Sequence, residues 1–259
     1  MKVTVCELPN DPSQLDAAWS ALVEHTRTER SDFVLLPEMP FSPWLASVQE
    51  RDEQRWRLAV DAHRRWQDRL PELGAPSVAW TAPVLDGGAA FNEGGLWTRA
   101  DGSLRPSHRK VYLPEEGGFW EARWYRRGDG RFDADDVPGA RVGFMICTEM
   151  WFTQHARTYG QDGVQLLLTP RATLKPSVDK WIAGGRAAAV VSGAYSLSSN
   201  FSGDAGGELG DWGGAGWIIE PEEGDVLGVT SADRPFLTLD IDLTVADTAK
   251  STYPRYVKD

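Results

Sequence analysis

The stretch Gly143-Phe144-Met145-Ile146-Cys147-Thr148-Glu149-Met150-Trp151-Phe152 decides how this chain is read. Its apolar run is predicted to end a buried strand over residues 141–146, and a helix is predicted from Glu149 to about residue 159. Cys147 falls at the junction. Backbone N–H groups at the start of a helix point outward, and their positive end favours a thiolate and an oxyanion alike.

The same rhythm recurs on both sides of this stretch. Residues 3–8 read as a first strand. Ser13, with Asp16 three residues on, resembles a capping box and opens a helix to about residue 30. Residues 32–36 form a second buried strand ending at Pro37-Glu38, and a charged helix is expected over 52–73. Strands follow at 77–83, 89–99 and 104–110, the last two joined by a turn at Asp101-Gly102. Residues 113–138 are expected to be irregular. Beyond the opening stretch come a strand at 164–169, a helix capped by Ser177 and running to 191, and a strand at 193–199. A glycine-rich loop at 203–216 precedes closing strands at 216–219, 226–229 and 236–241. No linker divides the chain. One mixed α/β domain over residues 1–243 is expected, followed by a polar tail at 244–259. The hairpin signals argue for sheets of mixed direction.

The bulk properties narrow the partners. A net charge of −11 argues against nucleic acid. No apolar run approaches the length that spans a membrane. The start of the chain reads as a strand and not as a signal peptide. Cys6 and Cys147 both sit in strand-like contexts, so reduced thiols and a cytoplasmic location are expected. No Cys/His cluster has metal-ligand spacing, and the glycine-rich loop matches neither a phosphate loop nor a dinucleotide fingerprint. Neither metal nor cofactor is expected.

A cysteine nucleophile needs a proton acceptor and an oxyanion stabiliser. His25, His63 and His155 fall on predicted helices among charged residues and are expected to be exposed. His108, two residues before Lys110, is the one histidine placed to support a site. Glu38 and Lys110 fit better. Glu38 leaves the buried strand Phe33-Val34-Leu35-Leu36-Pro37, where a partly desolvated carboxylate serves as a general base. Lys110 leaves a hairpin strand, where an ammonium stabilises an oxyanion or a thiolate. Cys6 lacks such company and is read as core.

The contexts Leu-Pro-Glu38-Met-Pro-Phe, His-Arg-Lys110-Val-Tyr-Leu-Pro and Gly-Phe-Met-Ile-Cys147-Thr-Glu-Met-Trp closely resemble the nitrilase superfamily of carbon–nitrogen hydrolases, in its order and separations. The resemblance runs to about Asp242. Leu166-Leu167-Leu168-Thr169-Pro170, Arg186-Ala187-Ala188 with Ser198-Ser199-Asn200, and Gly213-Gly214-Ala215-Gly216-Trp217 agree with it. It implies a four-layer αββα sandwich. It implies that Cys147 attacks the substrate carbon and that Glu38 relays protons. Lys110 and the Thr148 N–H would hold the oxyanion. A second glutamate matches Glu121 best, with Glu115 and Glu116 as rivals. It also implies a homodimer or higher homo-oligomer, with the tail as a possible contact.

Within that resemblance, true nitrilases typically place Trp-Glu after the cysteine and carbamoyl-polyamine amidases Trp-Asp. Thr148-Glu149 departs from both and favours an amidase. Nitrilase and N-carbamoyl hydrolase activity are the alternatives, and a non-catalytic binding member is the alternative of another class. Phe41, Trp44, Trp120, Trp124 and Trp151 lie near catalytic positions in sequence and are expected to contribute an apolar pocket for a small amide. Arg123, Arg171 or Lys175 is the candidate partner for a substrate carboxylate. Glu149 has two open readings, pocket lining or helix start.

Overall fold

The computed structural model describes residues 1–257 of the chain. β1 (Lys2–Pro9), β2 (Phe33–Leu35) and β3 (Ser77–Asp86) lie parallel, with α1 (Pro12–Glu29) and α2 (Glu53–Gln67) in the connections. β4 (Ala89–Thr98) and β5 (Leu104–Arg109) extend this sheet antiparallel. After the short α3 (Glu121–Trp124), β6 (Asp135–Val137) pairs antiparallel with β7 (Ala140–Phe144). β7, β8 (Leu166–Pro170) and β9 (Tyr195–Ser202) are parallel, joined through α4 (Thr153–Gln161) and α5 (Val178–Ser192). β10 (Trp217–Ile219) and β11 (Val226–Val229) continue that sheet antiparallel from β9. β12 (Phe236–Asp240) returns antiparallel to β1, and α6 (Leu243–Ala249) follows.

β1 belongs to both sheets. Val3 to Val5 pair with β2, while Glu7 to Pro9 pair in parallel with Asn200 to Ser202 of β9. The alternation of β2 explains the layers. Phe33 and Leu35 face a core that also holds Val142, Phe144, Leu166 and Leu168 of the other sheet. Val34 and Leu36 face outward onto Trp19 and Leu22 of α1. A strand shows opposite faces to successive residues, so one apolar run serves the inter-sheet core and the helix layer together. The result is the mixed α/β sandwich expected, in one domain.

Local boundaries differ in instructive ways. Asp11, not Ser13, caps α1 and accepts from the Ser13 N–H, because Pro12 takes the first helical position, where its missing N–H costs nothing. The helix expected to reach residue 73 stops at Gln67, and Pro71 lies in a separate 3₁₀ turn, Leu70–Leu73. Ser177 precedes α5, but its hydroxyl bonds back to the Leu174 carbonyl instead of capping. The segment expected to be irregular holds α3 and β6. The polar tail begins with α6, which buries Ala246 and Ala249, while Tyr253 and Tyr256 stay exposed.

One glycine fixes how the loop after α3 passes the site. A Cβ on Gly128 would lie 2.1 Å from the Arg109 carbonyl oxygen, and the Gly128 N–H donates to the Lys110 carbonyl at 3.0 Å. The clash is with backbone, which has little room to give. Gly128→Ala is therefore expected to destabilise by about 1–3 kcal/mol, read as a lower urea midpoint at unchanged slope.

Candidate active site

Glu38 lies just past β2, Lys110 follows β5 at once, and Cys147 lies past β7. The Lys110 ammonium donates to Glu38 Oε1 at 2.8 Å and to both oxygens of Glu121 at 2.7 and 2.8 Å. All three side chains are at most 1% exposed. Asn92 Nδ2 donates to Glu38 Oε1 at 2.7 Å, and the Asn92 carbonyl accepts from the Lys110 N–H at 2.9 Å. Glu38 Oε2 is buried and has no hydrogen-bond partner within the protein.

Two carboxyl groups thus share one cation in a dry site. Burial opposes charge on Lys110, but Glu121, Glu38 and Cys147 outweigh it and carry the ammonium well above the ordinary lysine value. Burial pushes Glu121 up to about 8, with Lys110 opposing and Glu38 reinforcing. Glu115 and Glu116 are exposed at the cavity mouth and do not join this cluster.

Cys147 has φ +50°, a left-handed conformation that costs an ordinary residue about 1 kcal/mol. It opens a 3₁₀ turn, Cys147–Trp151, and α4 begins only at Thr153. The expected helix from Glu149 is therefore broken. The junction was expected to favour a thiolate, and the surroundings act the other way. Burial pushes the Cys147 thiol well up, Glu38 adds to the rise, and Lys110 and a hydrogen bond from the Ala172 backbone oppose it. Cys6 is also free and fully buried, its sulfur directed at the Leu35 carbonyl at 3.5 Å.

Cys147, Thr148 and Glu121 line a cavity of about 1190 Å³. Trp151 and Trp181 form one aromatic wall, their rings 5.1 Å apart, and Tyr112 and Phe152 stack at 3.4 Å on another side. Of the aromatics expected near the pocket, only Trp151 lines it. Phe41 is turned into a cluster with Trp19, His63 and Trp66 beneath the helices. Trp124 is buried with its indole N–H on the Val48 carbonyl, Trp120 packs with the Trp44 cluster, and the Trp44 indole N–H meets the Gly118 carbonyl. Closeness in sequence to Glu38 or Glu121 did not carry these rings to the cavity, because neighbouring side chains leave a turn in different directions.

Glu149 does not line the cavity either. It is fully buried and accepts from the Ile146 and Val111 N–H groups and from His108. The candidate cations are also redirected. Arg171 is buried and donates to Ser198, Thr173 and the Ala215 carbonyl, with its guanidinium 4.1 Å over Trp217. Arg123 and Lys175 pair with Glu115 and Asp211. The cations that do line the cavity are Arg127 and Lys180. No expected helical histidine is fully exposed. His63 is buried and pulled down to about 4 by desolvation, His25 bonds Thr238, and His155 bonds the Tyr112 hydroxyl.

The carbon-nitrogen hydrolase family model matches residues 2–250, and the chain belongs to that family. Omega-amidase NIT2 of Mus musculus is 28% identical over 229 residues, covering 86% of this chain and 81% of that protein. A carbon-nitrogen hydrolase from Helicobacter pylori superposes with a TM-score of 0.86 at 18% identity, covering 99% of this chain and 94% of that one. A mutant amidase from Nesterenkonia sp., carrying the acetamide moiety of fluoroacetamide on its active-site cysteine, gives a TM-score of 0.76 at 19% identity, covering 95% and 92%. Among the described residues no helix is long and apolar enough to cross a membrane.

Proposed function

We propose that the protein hydrolyses the carbon–nitrogen bond of a small amide through a thioester on Cys147. The observation that carries this reading is the buried, unpartnered Glu38 Oε2, on a side chain whose charge acts on the Cys147 thiol. An oxygen with a free lone pair in a desolvated site is a proton acceptor in waiting. In this reading the Cys147 sulfur bonds to the amide carbon as Glu38 takes its proton. The oxyanion forms near the Lys110 ammonium and the Thr148 N–H. Glu38 returns the proton to the departing nitrogen, the C–N bond breaks, and ammonia or an amine leaves. Water then attacks the thioester, giving its proton to Glu38. The C–S bond breaks, Glu38 passes that proton to the sulfur, and the carboxylic acid departs with the thiol restored.

Glu121 holds the third side of Lys110 and borders the cavity, so it orients the ammonium and meets the substrate. The apolar part of the amide lies against Trp151 and Trp181. Arg127 and Lys180 favour a second reading, an amide that also bears a carboxylate, and the name of the omega-amidase relative accords with it.

An ammonia-release screen over amides, ureido compounds and nitriles tests the assignment. Amides are expected to release ammonia, with intact-mass detection of an acyl adduct on Cys147, and Cys147→Ala is expected to lose both. A preference for nitriles would replace the reading. If Cys147 proves no more reactive than Cys6, a non-catalytic binding role stands instead. The homo-oligomer implied by family resemblance is tested by light scattering, and a monomeric mass would refute it.

A further inference from the structure

One buried ion pair lies outside the reacting groups yet touches the backbone on both sides of them. His108, in β5, is 4% exposed, and Glu149 is fully buried. His108 Nε2 lies 2.8 and 3.0 Å from the two oxygens of Glu149, and Nδ1 lies 3.0 Å from the Arg131 carbonyl. Both ring nitrogens face acceptors, so both carry hydrogen and the ring is an imidazolium. The Glu149 carboxylate also receives the Val111 N–H at 2.7 Å on Oε1 and the Ile146 N–H at 2.8 Å on Oε2. Val111 follows Lys110 and Ile146 precedes Cys147.

We propose that His108 and Glu149 are positioning residues that set the separation of the Lys110 ammonium and the Cys147 sulfur. One carboxylate ties the peptide after the lysine to the peptide before the cysteine, across two sheets that share no direct pairing at this point. The ring holds that carboxylate in place between the two peptides. This assignment rests on the hydrolytic reading of the site. Burial pulls His108 down, but Glu149, the Arg131 carbonyl and Asp129 together raise it above the ordinary histidine value. The other groups around it are His155 of α4, which opposes its charge, and Glu93, Arg109, Arg127, Arg131 and Asp133 around the recess behind it. Phe132 covers the ring at 4.6 Å.

Glu149→Gln makes the test sharp. A glutamine has one acceptor oxygen, and its NH₂ would meet an N–H where the carboxylate met a hydrogen bond. A misplacement of reacting groups by about 1 Å costs on the order of 10²-fold in rate. The expected result is a fall of about that size in kcat with KM within about threefold, because Glu149 does not border the cavity. Alkylation of Cys147 by iodoacetamide should slow in parallel, while the urea transition stays cooperative. His108→Ala should behave alike, and His108→Gln, which still donates to Glu149, should recover part of both rates. Wild-type kcat and alkylation in folded variants would overturn the assignment, as would a rise in KM alone. If Glu149→Gln does not fold, the His108 pair decides. If the wild-type protein hydrolyses no amide, the hydrolytic reading fails, and the alkylation rates still test the positioning role.

Discussion

Glu38→Gln is expected to lower kcat for amide hydrolysis by about 10²–10⁴-fold, the loss that would accompany removal of the proposed general base. The substitution is unusually clean here. The glutamine oxygen keeps the position that receives Lys110 and Asn92, and its NH₂ takes the place of an oxygen with no partner in the protein. Folding should therefore persist. Because the Glu38 charge raises the Cys147 thiol, its removal lowers that value. Alkylation by iodoacetamide, followed against pH, should then begin at lower pH than in the wild type. Loss of turnover with retained alkylation separates the proton acceptor from the nucleophile. Equal kcat in the two proteins would remove Glu38 from the mechanism.

Lys110→Met leaves Glu38 and Glu121 buried without their cation. Breaking a buried pair from one side typically costs about 3–5 kcal/mol, since the charge left behind has lost both water and partner. Two carboxylates depend on this one ammonium, so the upper part of that range is expected in urea unfolding. The pH dependence has a definite sign. Burial already raises Glu121 to about 8 against the opposing Lys110, so without Lys110 it rises further and the folded chain binds more protons than the unfolded one. Stability then falls as pH rises, and the variant should be closer to wild type at pH 5 than at pH 8. Adding Glu121→Gln should recover part of the loss by removing one of the two like charges. A Lys110→Met protein as stable as the wild type at pH 8 would mean that the carboxyls are neutral in the native site.

The residues that converge on Lys110 differ in how plainly they show in the sequence. Glu38 and Cys147 each follow an apolar run and Lys110 leaves a hairpin strand, and strand exits are where an α/β fold gathers its polar groups. Glu121 needed the resemblance, since a four-residue helix in an irregular segment leaves no periodic trace. Asn92 is invisible because one polar residue inside a ten-residue strand has no pattern to set it apart. Arg171 showed a charge but not its destination. The side chain turns inward to hydroxyls and carbonyls contributed by β9 and the glycine-rich loop, contacts that exist only after distant segments meet. Beyond Cys147 and Glu121, the cavity walls were legible only at Thr148 and Trp151. Trp181 comes from α5, and Tyr112 from the strand exit beyond Lys110, places that linear distance from the cysteine does not reveal. The boundary error at Glu149 has a specific cause, for its side chain is engaged by Ile146, Val111 and His108 in a 3₁₀ turn instead of starting an α-helix.

The second cysteine carries a consequence for measurement. Cys6 sits at the place on β1 where the strand passes from one sheet to the other, sealed against Leu35, with its own N–H on Ser199 of β9. A reagent reaches that sulfur only when β1 parts from its neighbours. Slow labelling of Cys6 in native buffer is thus a clock for sheet separation, and its rate, set against that of an unfolded thiol, converts to the free energy of that opening. The two sulfurs of this chain report separate events, access to a cavity and the coming apart of the sandwich.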